Sequence, residues 1–85
     1  MRVMIRGYVY DTEKAEKIAD LGWTTLMRGE RQYFLAASSS HVIVPLCTEE
    51  AFNYYQRAVR SAGHNWPGYV VYMDEKAAFG EVEEA

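Results

Sequence analysis

The sequence predicts an α+β domain: a mainly antiparallel sheet of four to five strands with two helices, in the order β-α-β-β-β-α-β. Three observations carry that expectation. Val3, Ile5, Gly7 and Val9 alternate with Met4, Arg6, Tyr8 and Tyr10, the two-residue period of a strand with one covered face. Trp23–Arg28 and Arg31–Ala37 are rich in Thr, Tyr, Phe and Trp and flank Gly29-Glu30, the pattern of a tight hairpin. Ala51, Phe52, Tyr55, Ala58, Val59 and Ala62 recur at the spacing of one helix face.

The remaining elements follow in chain order. After the first strand, Asp11 or Thr12 is placed to cap a helix starting at Glu13, with Ala15, Ile18 and Ala19 on one side, Glu13 four residues before Lys17, and Gly22 as its C-terminal cap. The hairpin comes next, then a polar connection, Ser38-Ser39-Ser40, and a short apolar strand, His41-Val42-Ile43-Val44, ended by Pro45. The second helix carries Glu49 and Glu50 at its start and Arg57 and Arg60 near its finish, matching the helix dipole, and Gly63 caps it. Residues 63–68 read as a loop and Tyr69-Val70-Val71-Tyr72-Met73 as the last strand. Asp74 onward adds at most one helical turn, so residues 1–73 form the expected domain and 74–85 an acidic, mobile tail.

Composition narrows the function classes. Eighty-five residues suffice for one domain, and 49% apolar with 25% charged residues is the balance of a chain that folds. Seven Tyr, three Phe and two Trp are more rings than a small core can hide, so some must face solvent or a partner. Residues 1–73 carry eight Lys/Arg against seven Asp/Glu, and 74–85 carry one against five. A near-neutral body with an acidic end argues against a strongly basic nucleic-acid binder, leaving room only for a weak one. The lone Cys47 excludes an internal disulfide and a four-cysteine metal site, which fits a reducing compartment. Val3-Met4-Ile5 is too short for a leader's apolar region and no run approaches the ~18 apolar residues of a membrane span, so the expected location is cytoplasmic, with no membrane partner.

The search for chemistry returns no catalytic set. Cys47 precedes a helix N-terminus, where a thiolate is stabilised, but nothing in the sequence sets His41 or His64 beside it as a base. Ser38 to Ser40 lack a Gly-x-Ser-x-Gly elbow. His41, Cys47 and His64 have no paired spacing for a metal, and Glu49-Glu50 and Asp74-Glu75 are adjacent carboxylates rather than opposed ones. The expectation is a non-enzymatic protein with no cofactor and no metal site.

Binding residues are easier to nominate. Arg28 and Arg31 flank the Gly29-Glu30 turn with Tyr33 and Phe34 behind them, an arrangement that could meet a phosphate backbone, against which stands the plain reading of a solvated hairpin tip. Tyr54, Arg57 and Arg60 on the outer side of the second helix are of the types that anchor interfaces, or else form a solvated stripe. Trp66, in a glycine-bounded loop, is either folded onto the core or an exposed anchor. A free sheet edge would also let two copies pair as a homodimer.

Gly7, Tyr10-Asp11-Thr12-Glu13-Lys14-Ala15, Thr25-Leu26 with Arg28, Tyr33-Phe34-Leu35 and Pro45-Leu46-Cys47-Thr48-Glu49-Glu50-Ala51 together resemble a family of short phage and mobile-element proteins, over about residues 5 to 52. In size and genetic setting that family is similar to anti-CRISPR inhibitors. The resemblance implies a protein that binds a host defence complex in the bacterial cytoplasm, a CRISPR effector foremost, and blocks it sterically. It carries no catalytic residues over. The alternative is a small nucleic-acid-binding regulator using Arg28, Arg31, Arg57 and Arg60. The chain departs from the family pattern at Met27, where Tyr is usual, at Ala36-Ala37-Ser38, where a glycine-rich loop is common, and at Cys47, where Ser would form a capping box with Glu50. These departures touch any partner contact made through the hairpin.

Overall fold

Residues 2–11 do not run straight. In the computed structural model, which describes residues 2–37 and 42–80, β1 (Arg2–Ile5) and β2 (Tyr8–Asp11) pair antiparallel as a hairpin. Arg6 and Gly7 form the turn with φ of 51° and 82°, and two positive φ values are the mark of a type I′ turn, whose twist matches that of the strands it joins. The single long strand expected here is thus two short ones, because the alternation of apolar residues continues across the turn and hides it.

The helix expected over residues 13–21 is a strand. Asp11 Oδ1 accepts from the Glu13 amide, and the Asp11 carbonyl from the amides of Lys14 and Ala15, closing a turn that delivers the chain into β3 (Glu16–Leu21). The register of β3 slips between Lys17 and Ala19, so Ile18 and Ala19 are consecutive yet both fully buried in one cluster. A bulge breaks the two-residue period, and the resulting 15, 18, 19 spacing imitates a helix face. Gly22, read as a helix cap, is the first residue of a two-residue turn into β4 (Thr24–Arg28); its φ of 71° is the positive value that a type II′ turn requires.

β4 turns through residues 29–32, closed by the Gly29 amide on the Gln32 carbonyl at 2.9 Å, into β5 (Tyr33–Ala37). The hairpin is as expected but its connection is four residues long, so Arg31 belongs to the turn and not to the strand. Ser38 to His41 lie outside the described residues. β6 (Ile43–Leu46) runs through Pro45 instead of stopping there. The Ala37 amide bonds the Val42 carbonyl, so by antiparallel alternation the backbone groups of Val42, Val44 and Leu46 face β5 while those of Ile43 and Pro45 point away from it, along the sheet edge. A proline costs an edge strand no ladder bond at an outward position.

α1 (Thr48–Gly63) buries Ala51, Tyr55, Ala58 and Ser61, β7 (Tyr69–Val71) pairs with β3, and α2 (Glu75–Phe79) follows. The main sheet has the order β6-β5-β4-β3-β7, antiparallel throughout, with β1–β2 as a separate two-stranded sheet. The class is α+β as expected, with the first helix replaced by a strand and the second helix supplied at the C-terminal end.

Each face of the main sheet packs against other elements over part of its area. On one, Ile18, Ala19, Leu21, Leu26, Leu35 and Leu46 pack with Ala51, Tyr55 and Ala58 of α1 and Ala78 of α2. On the other, Met27, Phe34, Ala36 and Ile43 pack with Tyr10, Val3 and Ile5 of the hairpin. α2 is bound into the first of these: Phe79 stacks on Tyr33 with centroids 5.0 Å apart and meets Phe52 and Tyr55 edge-on, while Tyr33 Oη donates to the Ala78 carbonyl at 2.8 Å. The helical turn after Asp74 therefore belongs to the packed domain, and only residues 81–85 of the acidic end lie outside the described residues.

Candidate functional site

Two turns at one end of the main sheet are tied backbone to backbone. The Gly22 amide bonds the Gly68 carbonyl at 2.9 Å, and a Cβ at Gly68 would crowd the Gly22 Cα at 3.1 Å while strained at a φ of 85°, so the approach favours glycine. Each turn carries a tryptophan: Trp23 is 79% exposed and Trp66 57% exposed. Trp66 reaches its place through the end of α1. Asn65, with φ of 57°, bonds the Ala62 carbonyl, and the Trp66 amide bonds that of Ser61, the paired bonds of a Schellman motif with asparagine in the left-handed position. Gly63, expected as the cap, is the last helical residue instead. The Trp66 ring lies between His64, at 6.0 Å, and Tyr69, at 6.3 Å, and so is an exposed residue braced by two rings.

The sheet surface beside this end is open. Val70, Asp20, Thr25, Ala36 and Ile43 are successive cross-strand neighbours and share the face that the hairpin covers, yet the cover stops short of β3 and β7. Val70 and Tyr72 are 46% and 49% exposed. Between them the Asp20 carboxylate accepts from Thr25 Oγ1 at 2.8 Å and from Tyr72 Oη at 2.5 Å. The hydrogen bond to Asp20, aided by burial and by that carboxylate's charge, holds the Tyr72 phenol above the usual tyrosine value of 10.0.

Compared with protein-family models, with curated proteins and with solved structures, the chain has no match. Function must therefore be argued from the surface itself.

The six residues nominated from sequence do not gather into one site. Arg28, at the end of β4, is committed to structure: its guanidinium donates to the Ala77 and Ala78 carbonyls at 2.6 and 3.3 Å and pairs with Glu16 at 3.0 Å. It closes the C-terminal end of α2, where the helix's last carbonyls favour a cation. Arg31 is exposed in the four-residue turn, so the two arginines are not a pair reaching outward from a hairpin tip. Tyr54 and Arg57 do meet, the guanidinium carbon lying 5.3 Å from the ring centroid, with Tyr54 half-buried against the core. Arg60 instead borders a cavity of about 490 Å³ floored by Phe52, Tyr55 and Val59, with Glu75 across from it. The sequence reading missed Trp23, Val70 and Tyr72. Trp23 is legible in principle, because Gly22-Trp23 between the run ending at Leu21 and the run starting at Thr24 fits a Gly-x turn; the helix-like spacing of 15, 18 and 19, which makes Gly22 read as a cap, conceals it.

Cys47 is exposed and serves as the N-cap of α1. Its Sγ accepts from the Glu50 amide at 3.5 Å and its own amide donates to Glu50 Oε1 at 3.0 Å, so the capping box expected to be lost with serine is present. The amide bond from Cys47 is the main reason that the Glu50 carboxyl titrates below its usual value of 4.5. Among the described residues no group of three or more His, Cys, Asp or Glu is gathered as a metal would need, and no helix is long and apolar enough to cross a membrane.

Proposed function

We propose that this protein works by binding, as a non-enzymatic inhibitor of the phage type that occupies a surface of a host defence complex, a CRISPR effector foremost, with the Trp23 and Trp66 end as its contact surface. The observation that carries the reading is the exposure of two tryptophans on turns held together by the Gly22–Gly68 bond. Tryptophan is the residue type most concentrated in interface hot spots, and exposing two of them costs hydrophobic free energy that burial in a complex would return. Their support is rigid: two tight turns and a capped helix end fix the backbone before any partner arrives, which lowers the ordering cost of association. The choice of a defence complex rests on the resemblance to short phage proteins over residues 5 to 52, together with the small size of the chain.

The test is a plaque assay on a host with active CRISPR immunity that expresses the protein, paired with binding of the purified protein to the purified effector. The expected result is restored infection and a stable complex, both lost in Trp23→Ala and Trp66→Ala variants whose circular dichroism matches wild type. An immune host that remains fully resistant, with no complex formed, would sink the reading. Variants that inhibit as well as wild type would move the contact surface elsewhere.

A further inference from the structure

The two outer strands of the main sheet end in opposite ways. On β6 the outward positions are Ile43 and Pro45, and Pro45 offers no amide. On β7 the Gly22 amide bonds the Gly68 carbonyl and the Tyr72 amide bonds the Ile18 carbonyl, so antiparallel alternation directs the N–H and C=O of Val71 away from β3. Among the described residues nothing bonds them. The devices that usually blunt an edge are a charge, a proline or a bulge, and Tyr69-Val70-Val71-Tyr72 has none.

We propose that β7 pairs with β7 of a second copy of this chain, antiparallel about a two-fold axis at Val71, to join two five-stranded sheets into one of ten strands. The register is self-complementary. Val71 faces its own equivalent, and the two residues exchange N–H to carbonyl bonds. Val70 then lies opposite the other copy's Tyr72, and Tyr72 opposite the other copy's Val70, both on the open face where these side chains are 46% and 49% exposed. Pairs of a β-branched with an aromatic residue are among the stabilising cross-strand pairs.

Charge permits the approach. The chain has a net charge of −3, which opposes self-association in general, but residues 65–73 contain no Asp, Glu, Lys or Arg. The Asp20 carboxylate is held by Thr25 and Tyr72 and meets an uncharged strand across the seam, and Asp74, just beyond Met73, is turned to the Ala77 amide as the N-cap of α2. The seam is short, since the Met73 carbonyl already accepts from Tyr55 Oη, so the association expected is weak. The inference is independent of the tryptophan reading. The seam runs along β7, whereas Trp23 and Trp66 lie beyond its end at Gly68, so each copy keeps its own pair.

Sedimentation of the wild-type chain from low micromolar to about 1 mM tests the proposal, with amide hydrogen exchange read at both ends of that range. The expected result is a mass rising from 9.8 kDa toward twice that value, with the Val71 amide protected only at high concentration. Val70→Lys, at an exposed position, is expected to return the monomer. A wild-type chain that stays monomeric throughout would overturn the proposal. So would a dimer in which the Val71 amide exchanges freely, or one that a folded Val70→Lys variant leaves intact. Should that variant fail to fold, the exchange of Val71 in the wild-type chain decides the matter alone.

Discussion

The two faces of the main sheet are finished to different standards. The helical face carries the larger cover: α1 lies chiefly over β3 and β7, and α2 is held at one end by the Arg28 and Tyr33 hydrogen bonds and by Phe79 among three rings. The other face is covered only where the hairpin reaches, over Met27, Phe34, Ala36 and Ile43. Over β3, the start of β4 and the end of β7 the same face shows Asp20, Thr25, Val70 and Tyr72, and the polar trio among them satisfies itself. The difference teaches where a small domain keeps surface for others: a two-stranded hairpin is too narrow to span five strands, and the uncovered strip adjoins the tryptophan-bearing turns.

The largest effect is expected where the narrow cover is anchored. Phe34 is fully buried and meets Tyr10 of the hairpin edge-on, with centroids 5.3 Å apart. Phe34→Ala should cost about 3–5 kcal/mol in urea unfolding, as large-to-small core changes do, and should expose β1 and β2 to hydrogen exchange before α1. Phe79→Ala, its counterpart on the helical face, removes a half-buried ring and should cost about 1–3 kcal/mol, loosening α2 while the hairpin keeps its protection. If Phe79→Ala exposed the hairpin as readily as Phe34→Ala, the two faces would be one cooperative unit and the contrast would fail.

That asymmetry also marks what the sequence could and could not reveal. α1 was legible because its apolar spacing, acidic start and basic finish agree, and β4 and β5 because Thr and aromatic residues cluster around a glycine turn. β3 was not, because a bulge at Ile18 replaces strand alternation with a spacing that a helix would share. The turn at Arg6-Gly7 was hidden because Val9 continues the apolar alternation of Val3 and Ile5 in the sequence, although in the structure the packed face passes to Tyr10 and leaves Val9 exposed. Of the nominated binding residues, Trp66 could be placed in a loop from its glycines but not oriented, since its bracing by His64 and Tyr69 depends on the cap at Asn65. Arg28 read as a surface cation because the element it caps, α2, comes some fifty residues later in the chain.

Alkaline titration separates the faces by cause. Tyr33 and Tyr55 on the helical face are raised above 10.0 chiefly by burial, Tyr33 less so for the Arg28 charge and Tyr55 more so for Asp74 and Glu75, whereas Tyr72 on the open face is raised chiefly by its bond to Asp20. A group whose folded value is raised gives stability that is whole below its unfolded value and is lost as pH climbs through the folded one. The contribution of these tyrosines to unfolding free energy should therefore be level below pH 10.0 and fall above it. Tyr72→Phe should shallow that fall and cost about 1 kcal/mol at neutral pH, the scale of one hydrogen bond. An unchanged alkaline slope in Tyr72→Phe would mean that the bond to Asp20 does not form in solution.

The smallest effect lies at the start of α1 and has the opposite sign. Sulfur is a weak acceptor, and at 3.5 Å from the Glu50 amide Cys47 fills the cap position with less than a hydroxyl would supply. Cys47→Ser should accordingly stabilise the chain, by about 0.5 kcal/mol, seen as a higher midpoint with an unchanged urea slope. Glu50 supplies the other half of the box, and its carboxyl titrates low because the Cys47 amide favours the charged form. A lowered folded value gives stability that is present above the unfolded value and lost as pH falls through the folded one, so Glu50→Gln should flatten the acid limb of the stability curve. Because both changes lie at the first turn of α1, which follows β6 at the opposite edge of the sheet from β7, they should leave the exchange of the Val70, Val71 and Tyr72 amides as it was. A shift there would show that the strip's backbone is set by the helix beneath it and not by its pairing with β3.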